Sequence, residues 1–281
     1  MLYPILQKEN LCDTVVRMVV SAPAVAAKAQ PGQFVILRTD ADGERIPLTV
    51  ADYDRVAGTV TVIFQTVGAG TLTLSRLSVG DSLQDFVGPL GRPTETDGLQ
   101  KVAVIAGGVG AAIALPVAKK MHAQGTQVHC ICGFRNKDLV ILQDEFASAS
   151  SMLLTLTDDG SFGQKGLVTD ALRGLIDGGE QYDEVIAIGP LPMMKFVSLL
   201  TAEYGIKTVV SMNPIMIDGT GMCGGCRLTV GGEIKFACVD GPEFDGHQVD
   251  FDEVMHRSRL YHEQERHAYE RSCNLLNKEV R

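Results

Sequence analysis

The chain changes its hydrophobic rhythm twice. Up to residue 95 it carries short runs rich in β-branched residues, Thr14–Val20, Gln33–Arg38 and Thr59–Thr66, set off by Pro31-Gly32, Asp42-Gly43, Gly58 and Gly68. Such runs between turn residues predict strands, and several in so short a stretch predict a small antiparallel barrel or sandwich. Leu72–Leu77 reads as a short helix, and Gly88–Gly91 followed by Pro93 reads as a linker. From Lys101 compact apolar runs alternate with helical stretches. The predicted strands are Val102–Ile105, Gln127–Cys132, Met152–Thr157, Glu184–Ile188 and Lys207–Met212, and the predicted helices are Ala111–Ala123, Asp138–Ala147, Leu167–Leu175 and Pro192–Tyr204. Alternation of this kind implies a parallel sheet covered by helices on both faces. Beyond Met212 it gives way to a glycine- and cysteine-rich lobe, then to a polar, helical C-terminal segment, Phe251–Arg281. The expected domains are therefore residues 1–95, 96–212 and 213–281.

Composition narrows the function. With 45% hydrophobic and 21% charged residues over 281 positions, the chain is globular rather than disordered. A net charge of −9 with no basic block argues against nucleic acid and against an anionic membrane surface. The N-terminus lacks the layout of a signal peptide. The longest uncharged stretch, Val102–Ala118, is broken by Gly107, Gly108, Gly110 and Pro116, as a strand–turn–helix is and a membrane span is not. Seven cysteines, three of them within residues 223–238, point to a reduced cytoplasmic setting and a metal site rather than a disulfide frame. His247, His256, His262 and His267 show no metal spacing and read as surface residues.

Three segments carry candidate chemistry. Ala106–Pro116 opens with Gly107, Gly108 and Gly110 between a strand and a helix, where backbone N–H groups and a helix N-terminus suit a pyrophosphate; the alternative is tight strand–helix packing, and the strand–turn–helix context favours the dinucleotide. Thr157–Gly160, with Asp158, and Ile188–Pro190, with Gly189, end later strands of the same sheet, where open α/β folds bind ligands, although ordinary turns look the same. In the β-rich half, Arg45-Ile-Pro-Leu-Thr49 and Thr66-Val-Gly-Ala-Gly-Thr71 are suited to a phosphorylated cofactor, with Arg45 as counter-charge and Thr71 on phosphate, against the plainer reading of a strand and a turn. The strongest signal is Cys223-Gly-Gly-Cys226 with Cys238. Plant-type [2Fe–2S] proteins use C-x4-C-x2-C and a distant fourth cysteine, and here the first-cysteine slot holds Asp218. Zinc, which accepts carboxylates, is the alternative. Cys130 and Cys132 alternate along a strand and read as packing residues, and Cys12 and Cys273 are unremarkable.

Taken together, R-x-P-L-T, V-G-x-G-T, G-G-V-G-x-A-x-x-x-P, T-D-D-G-S-x-G, I-G-P-x-P-M-M and D-G-T-G-M-C-G-x-C span nearly the whole chain. The sequence resembles the FAD- and NAD-binding electron-transfer subunits of the ferredoxin-reductase-like superfamily. It is most similar to the small (alpha) subunits of NADH-dependent reduced ferredoxin:NADP oxidoreductase, also called sulfide dehydrogenase subunits, and more distantly to dihydroorotate dehydrogenase electron-transfer subunits. The resemblance implies an antiparallel FAD-binding barrel, an NAD-binding α/β domain and a C-terminal [2Fe–2S] lobe. It implies FAD along Arg45, Pro47, Leu48 and Thr49, with Thr49 beside flavin N5, and with Phe64, Gln65, Gly70 and Thr71 toward the adenosine and pyrophosphate. The superfamily's usual arginine would fall at Ile46, one position from Arg45. NAD(H) is implied at Gly107, Gly108, Gly110, Asp158, Gly189 and Met193, and the cluster ligands are implied to be Asp218, Cys223, Cys226 and Cys238. The implied activity is hydride transfer from NADH to FAD, with single electrons leaving through the cluster and no acid–base residue needed. The implied partner is a larger flavin and [4Fe–4S] subunit, completing an electron-bifurcating enzyme that couples NAD, NADP and ferredoxin. The rival readings are a dihydroorotate dehydrogenase electron-transfer subunit and a non-catalytic redox sensor.

Overall fold

The computed structural model describes residues 2–279, with side chains as far as residue 272, so Cys273 lies outside the described side chains. Seven strands form the first sheet: β1 (Tyr3–Cys12), β2 (Val15–Ser21), β3 (Phe34–Arg38), β4 (Ile46–Asp54), β5 (Thr59–Gln65), β6 (Ser82–Leu83) and β7 (Asp85–Leu90), in the order β6-β1-β2-β5-β4-β3-β7. Its two edges are the two halves of one segment. Ser82–Leu83 pairs with β1, and after Gln84 the chain pairs with β3 from Asp85 onward, so the sheet rolls into a near-closed antiparallel barrel. Period-two alternation fills it: Val16, Met18 and Val20 point inward with Val60, Val62 and Phe64, while Val15 and Ile63 point outward. Two short helices, α1 (Pro23–Ala26) and α2 (Ala69–Arg76), complete this part.

Gly88–Leu90 is not linker but the end of β7, where Leu90 pairs with Phe34. Pro89 is tolerated because β7 is an outer strand with a register shift beside it. β1 carries few β-branched residues, and its polar side chains lie mostly at the surface.

The second sheet contains β8 (Lys101–Gly107), β9 (Gln127–Phe134), β10 (Met152–Thr157), β11 (Gln164–Lys165), β12 (Glu184–Ile188) and β13 (Thr208–Ser211), all parallel, in the order β11-β10-β9-β8-β12-β13. Helices α3 (Ala111–Ala123), α4 (Gln143–Ser148), α5 (Val168–Asp177) and α6 (Leu191–Glu203) connect them. The helix expected from Asp138 starts only at Gln143, because Leu142 adopts a left-handed φ of 60° that ends the preceding turn.

The cysteine-rich lobe forms the hairpin β14 (Arg227–Val230) and β15 (Glu233–Phe236), then sends β16 (Glu243–Asp245) back to pair antiparallel with β13. The parallel sheet thus gains a seventh strand from beyond residue 212. Helices α7 (Phe251–Arg257) and α8 (His262–Glu279) follow; α7 packs on α6 and β14, and α8 reaches across to α2. At the junction of the three parts the Thr94 hydroxyl donates to Glu243 Oε1 at 2.7 Å, and Arg92 donates its backbone N–H to Gly241 O at 2.7 Å. Burial pushes the Glu243 carboxyl up to about 7; the Thr94 hydrogen bond opposes this, and Glu184 and Glu95 add to it. Among the described residues no helix is long and apolar enough to cross a membrane.

Candidate functional site

β8 is the point where the strand order reverses, with β9 on one side and β12 on the other, and the chain leaves it through a glycine turn. Open α/β sheets bind ligands at such a carboxyl-end crevice. A side chain at Gly110 would fall on the Ile188 carbonyl oxygen, so this glycine lets α3 begin against the end of β12. Gly108 is different: φ is +54° and nothing lies within 4 Å of the added carbon, which leaves its backbone open to the crevice. A Cβ on Gly107 would meet Met193 Sδ at 2.5 Å, and one on Gly189 would meet Met193 Cε at 2.8 Å. Met193 therefore lies over the paired glycines that end β8 and β12.

The crevice is one wall of a cavity of about 1330 Å³ that the barrel closes from the other side with Pro47, Thr49 and Gln65. Alternation along β4 explains the selection. Ile46, Leu48 and Val50 pack with the barrel core, which leaves Pro47 and Thr49 facing out into the cavity. Phe64 is buried in that core and its neighbour Gln65 faces out. Leu48 and Phe64 thus sit behind the cavity wall rather than on it. Arg45 is exposed at the head of β4, outside the cavity lining. Gly70, at the start of α2, lies against this segment, since a Cβ there would meet Glu44 Oε2 at 2.6 Å and Ile46 Cδ1 at 3.2 Å. The Thr71 hydroxyl accepts the N–H groups of Val67 and Gly68 at 3.1 and 3.0 Å and donates to Gly68 O, so it caps its own helix.

The lining also includes Asp158, Arg135 and Phe134 from the ends of β9 and β10, and Asn213, Met216 and Pro242 from the cysteine lobe. The loop after β10 is stitched to the loop after β9: Asp159 accepts from the N–H and hydroxyl of Ser161, whose oxygen accepts Lys137 N–H at 2.8 Å. Asn213 stands five residues before Asp218, outside the cysteine motif as its spacing defines it. Its place on the cavity depends on β16 drawing the lobe onto the sheet.

In the lobe, the Cys226 and Cys238 Sγ atoms lie 3.3 Å apart and are buried. Burial and the hydrogen bond between the two sulfurs push the Cys238 thiol up to about 12, with the Gly221 N–H pulling the other way. Cys223 is exposed, and its sulfur receives the Gly225 N–H at 3.5 Å. Asp218 accepts Thr220 N–H at 2.9 Å on Oδ1 and Cys223 N–H at 2.9 Å on Oδ2, which hold its carboxyl below the usual range. Gly219, with φ +75°, packs against Ile36 and Leu90 and so seats the loop on the barrel. Among the described residues no three His, Cys, Asp or Glu side chains converge on one ion. The four donors instead fall into two pairs, Cys226 with Cys238 and Asp218 with Cys223. Paired donors with N–H groups on sulfur fit a two-iron cluster, each iron of which takes two protein ligands. Cys130 and Cys132 are core thiols, pushed up by burial, Cys130 to about 12.

Residues 213–250 match the iron–sulfur cluster binding domain of dihydroorotate dehydrogenase B, and residues 104–199 match the oxidoreductase NAD-binding domain. The chain is 33% identical over 248 residues to the dihydroorotate dehydrogenase B (NAD(+)) electron transfer subunit of Streptococcus pneumoniae, covering 85% of this chain and 94% of that protein. It belongs to the family of dihydroorotate dehydrogenase B electron-transfer subunits. A homolog of that subunit in Thermotoga maritima is 47% identical over 267 residues, covering 95% of this chain and 94% of the other. A solved chain of NADH-dependent reduced ferredoxin-NADP oxidoreductase is 44% identical with a TM-score of 0.92, over 96% of this chain and 98% of that one. The resemblance read from the motifs is borne out, and with it the ferredoxin-reductase-like architecture. The protein is an electron-transfer subunit of the flavin and iron–sulfur oxidoreductase type.

Proposed function

We propose that this subunit takes hydride from NADH onto FAD and passes single electrons through a [2Fe–2S] cluster to a larger flavin and [4Fe–4S] subunit, within an electron-bifurcating NADH-dependent ferredoxin:NADP oxidoreductase. The observation that carries this is the continuity of the cavity: one space touches the outward face of β4, the carboxyl ends of β8 and β12, and the lobe that holds the cysteines. Bound FAD supplies the conversion between two-electron and one-electron chemistry. The protein's contribution is placement. Gly108 leaves the backbone open to a dinucleotide while Gly107, Gly110 and Gly189 let the turn, α3 and Met193 pack closely around it, Asp158 stands where a ribose would hydrogen-bond, and Pro47 and Thr49 offer a wall for a ring system. Asp218, Cys223, Cys226 and Cys238 would hold the cluster. Beside exposed Cys223 the surface carries Met222 and Ile217, 88% and 51% exposed, as suits a docked partner subunit.

The ferredoxin:NADP-type assignment is favoured by the close likeness to the solved oxidoreductase chain over nearly its full length. The second reading, an electron-transfer subunit serving dihydroorotate oxidation, is favoured by the family match over the cluster lobe. Anaerobic purification of the native complex separates them. The first predicts one FAD and two irons on this chain and a co-purifying flavin and [4Fe–4S] subunit; a partner that reduces orotate or oxidises dihydroorotate would replace it with the second. NADH oxidation by an artificial acceptor that is lost on removing FAD disposes of a non-catalytic sensor.

A further inference from the structure

The two glycines between Cys223 and Cys226 turn both their carbonyls to cations. Arg227 Nη1 donates to Gly224 O at 3.2 Å, and Arg257 Nη2 donates to Gly225 O at 3.2 Å. The Gly224–Gly225 peptide is therefore strung between charges: its carbonyl faces Arg227 while its N–H faces the Cys223 sulfur at 3.5 Å. A peptide unit carries a dipole of about 3.5 D. In this orientation its positive end lies on the sulfur, and the guanidinium at its negative end favours that orientation.

The two arginines are not equivalent. Arg227 is local to the loop and exposed, whereas Arg257 is half-buried and arrives from α7. That helix is itself fixed, with Phe251 and Val254 buried, Asp250 capping the Glu253 N–H, Glu253 accepting Thr229 N–H at 2.9 Å, and Lys195 paired with Asp252 at 2.7 Å. A rigid helix thus presents a permanent cation to the cysteine loop. Asp218, in the same loop, accepts the Cys223 N–H at 2.9 Å.

Resting on the iron–sulfur reading of this lobe, we infer that Arg257 is a positioning residue that anchors Gly225 through its carbonyl and so keeps the Gly225 N–H on the Cys223 sulfur, that Arg227 orients the same N–H from the Gly224 end of its peptide, and that the two cations raise the reduction potential of the centre. Cluster potentials depend on net charge and on hydrogen bonds to sulfur, and a positive charge stabilises the form that has gained an electron. A half-buried charge is screened less than an exposed one, so Arg257 carries the larger effect.

The test uses the full chain purified anaerobically with its native metal content. Iron and sulfide are counted, and the potential is read by redox titration with EPR detection for the unmodified protein, Arg257→Gln, Arg257→Lys and Arg227→Gln. Arg257→Gln should lower the reduction equilibrium about tenfold, equivalent to about 59 mV for one electron. Arg257→Lys should restore most of that, and Arg227→Gln should give a smaller shift that disappears at high salt. If Arg257→Gln loses iron, retention by Arg257→Lys supports the inference and equal loss overturns it. Full iron content with an unmoved potential in Arg257→Gln overturns this inference alone. An unmodified chain without iron overturns the cluster reading as well.

Discussion

Replacing Gly110 with alanine tests whether the glycine turn serves strand–helix closure or only the ligand. The residue has an α-helical φ of −58°, so alanine is free of backbone strain. Its methyl, however, would overlap the Ile188 carbonyl oxygen and lie 2.8 Å from Gly189 Cα and 2.9 Å from Ile188 C. Carbon contacts are comfortable at about 3.5–4.0 Å, so the start of α3 and the end of β12 must separate by roughly 0.7 Å or more. All three obstructing atoms are backbone, which cannot rotate away as a side chain does. Overpacking of this kind costs about 1–3 kcal/mol. Gly108→Ala is the counterpart: its methyl meets nothing, but φ of +54° imposes about 1 kcal/mol of left-handed strain and the methyl projects toward the crevice. Urea unfolding followed by circular dichroism, with NADH titration of the folded protein, separates the two. Gly110→Ala should lose more stability, while Gly108→Ala should lose NADH affinity out of proportion to its stability loss. Unchanged unfolding midpoints for Gly110→Ala would refute the packing argument.

Glu243→Gln should match the unmodified protein at pH 4 and exceed its stability at pH 8 by about 1–3 kcal/mol: a carboxyl raised to about 7 contributes fully below its unfolded pKa of 4.5, and the contribution is lost as pH rises from there through about 7. Parallel pH profiles of urea midpoint for the two proteins would sink this. Asp218→Ala should make the metal centre labile and Asp218→Cys should keep it with shifted visible and EPR spectra; unchanged iron content and spectrum in Asp218→Ala would send the search for the fourth ligand elsewhere. Flavin reduction in stopped flow should be faster with NADH than with NADPH, because the Asp158 carboxylate on the cavity wall disfavours a 2′-phosphate; faster reduction by NADPH would give the decisive role to Arg135 on the same wall.

The sheets were legible because their signals are local. Val102–Ile105 is apolar on every position since β8 is buried on both faces, and Gly107 ends it wherever the rest of the chain goes. The cysteine spacing was legible for the same reason, as candidate donors five and three positions apart need only a loop that turns. β1 was not, because a strand near a barrel edge is free to carry Gln7, Glu9 and Asn10 in solvent and Lys8 with its ammonium on the Ser75 and Leu77 carbonyls. Gly88-Pro89-Leu90 reads as linker because proline and glycine are turn residues by frequency, while at an outer strand beside a register shift they cost little.

Leu48 and Phe64 show a subtler limit. Their inward orientation follows from alternation once Thr49 and Gln65 are known to face the cavity, but the sequence does not say which face of the barrel the second sheet covers. That choice is made by contacts far apart in the chain. Val15, Ala51 and Ile63 on the outer barrel face pack into one core with α3, and Lys119–Asp52 and Arg17–Glu145 at 3.0 and 2.7 Å bridge the same seam. The cavity exists because the barrel docks there and β16 pulls the cysteine lobe onto β13. A three-residue strand such as Glu243–Asp245 has too little periodicity to announce its pairing. Yet it places Pro242 on the cavity wall, its first residue is the carboxyl that Thr94 holds, and it joins lobe, linker and sheet into one site. The parts of the site could be read from their own residues; their convergence on one cavity depends on long-range packing.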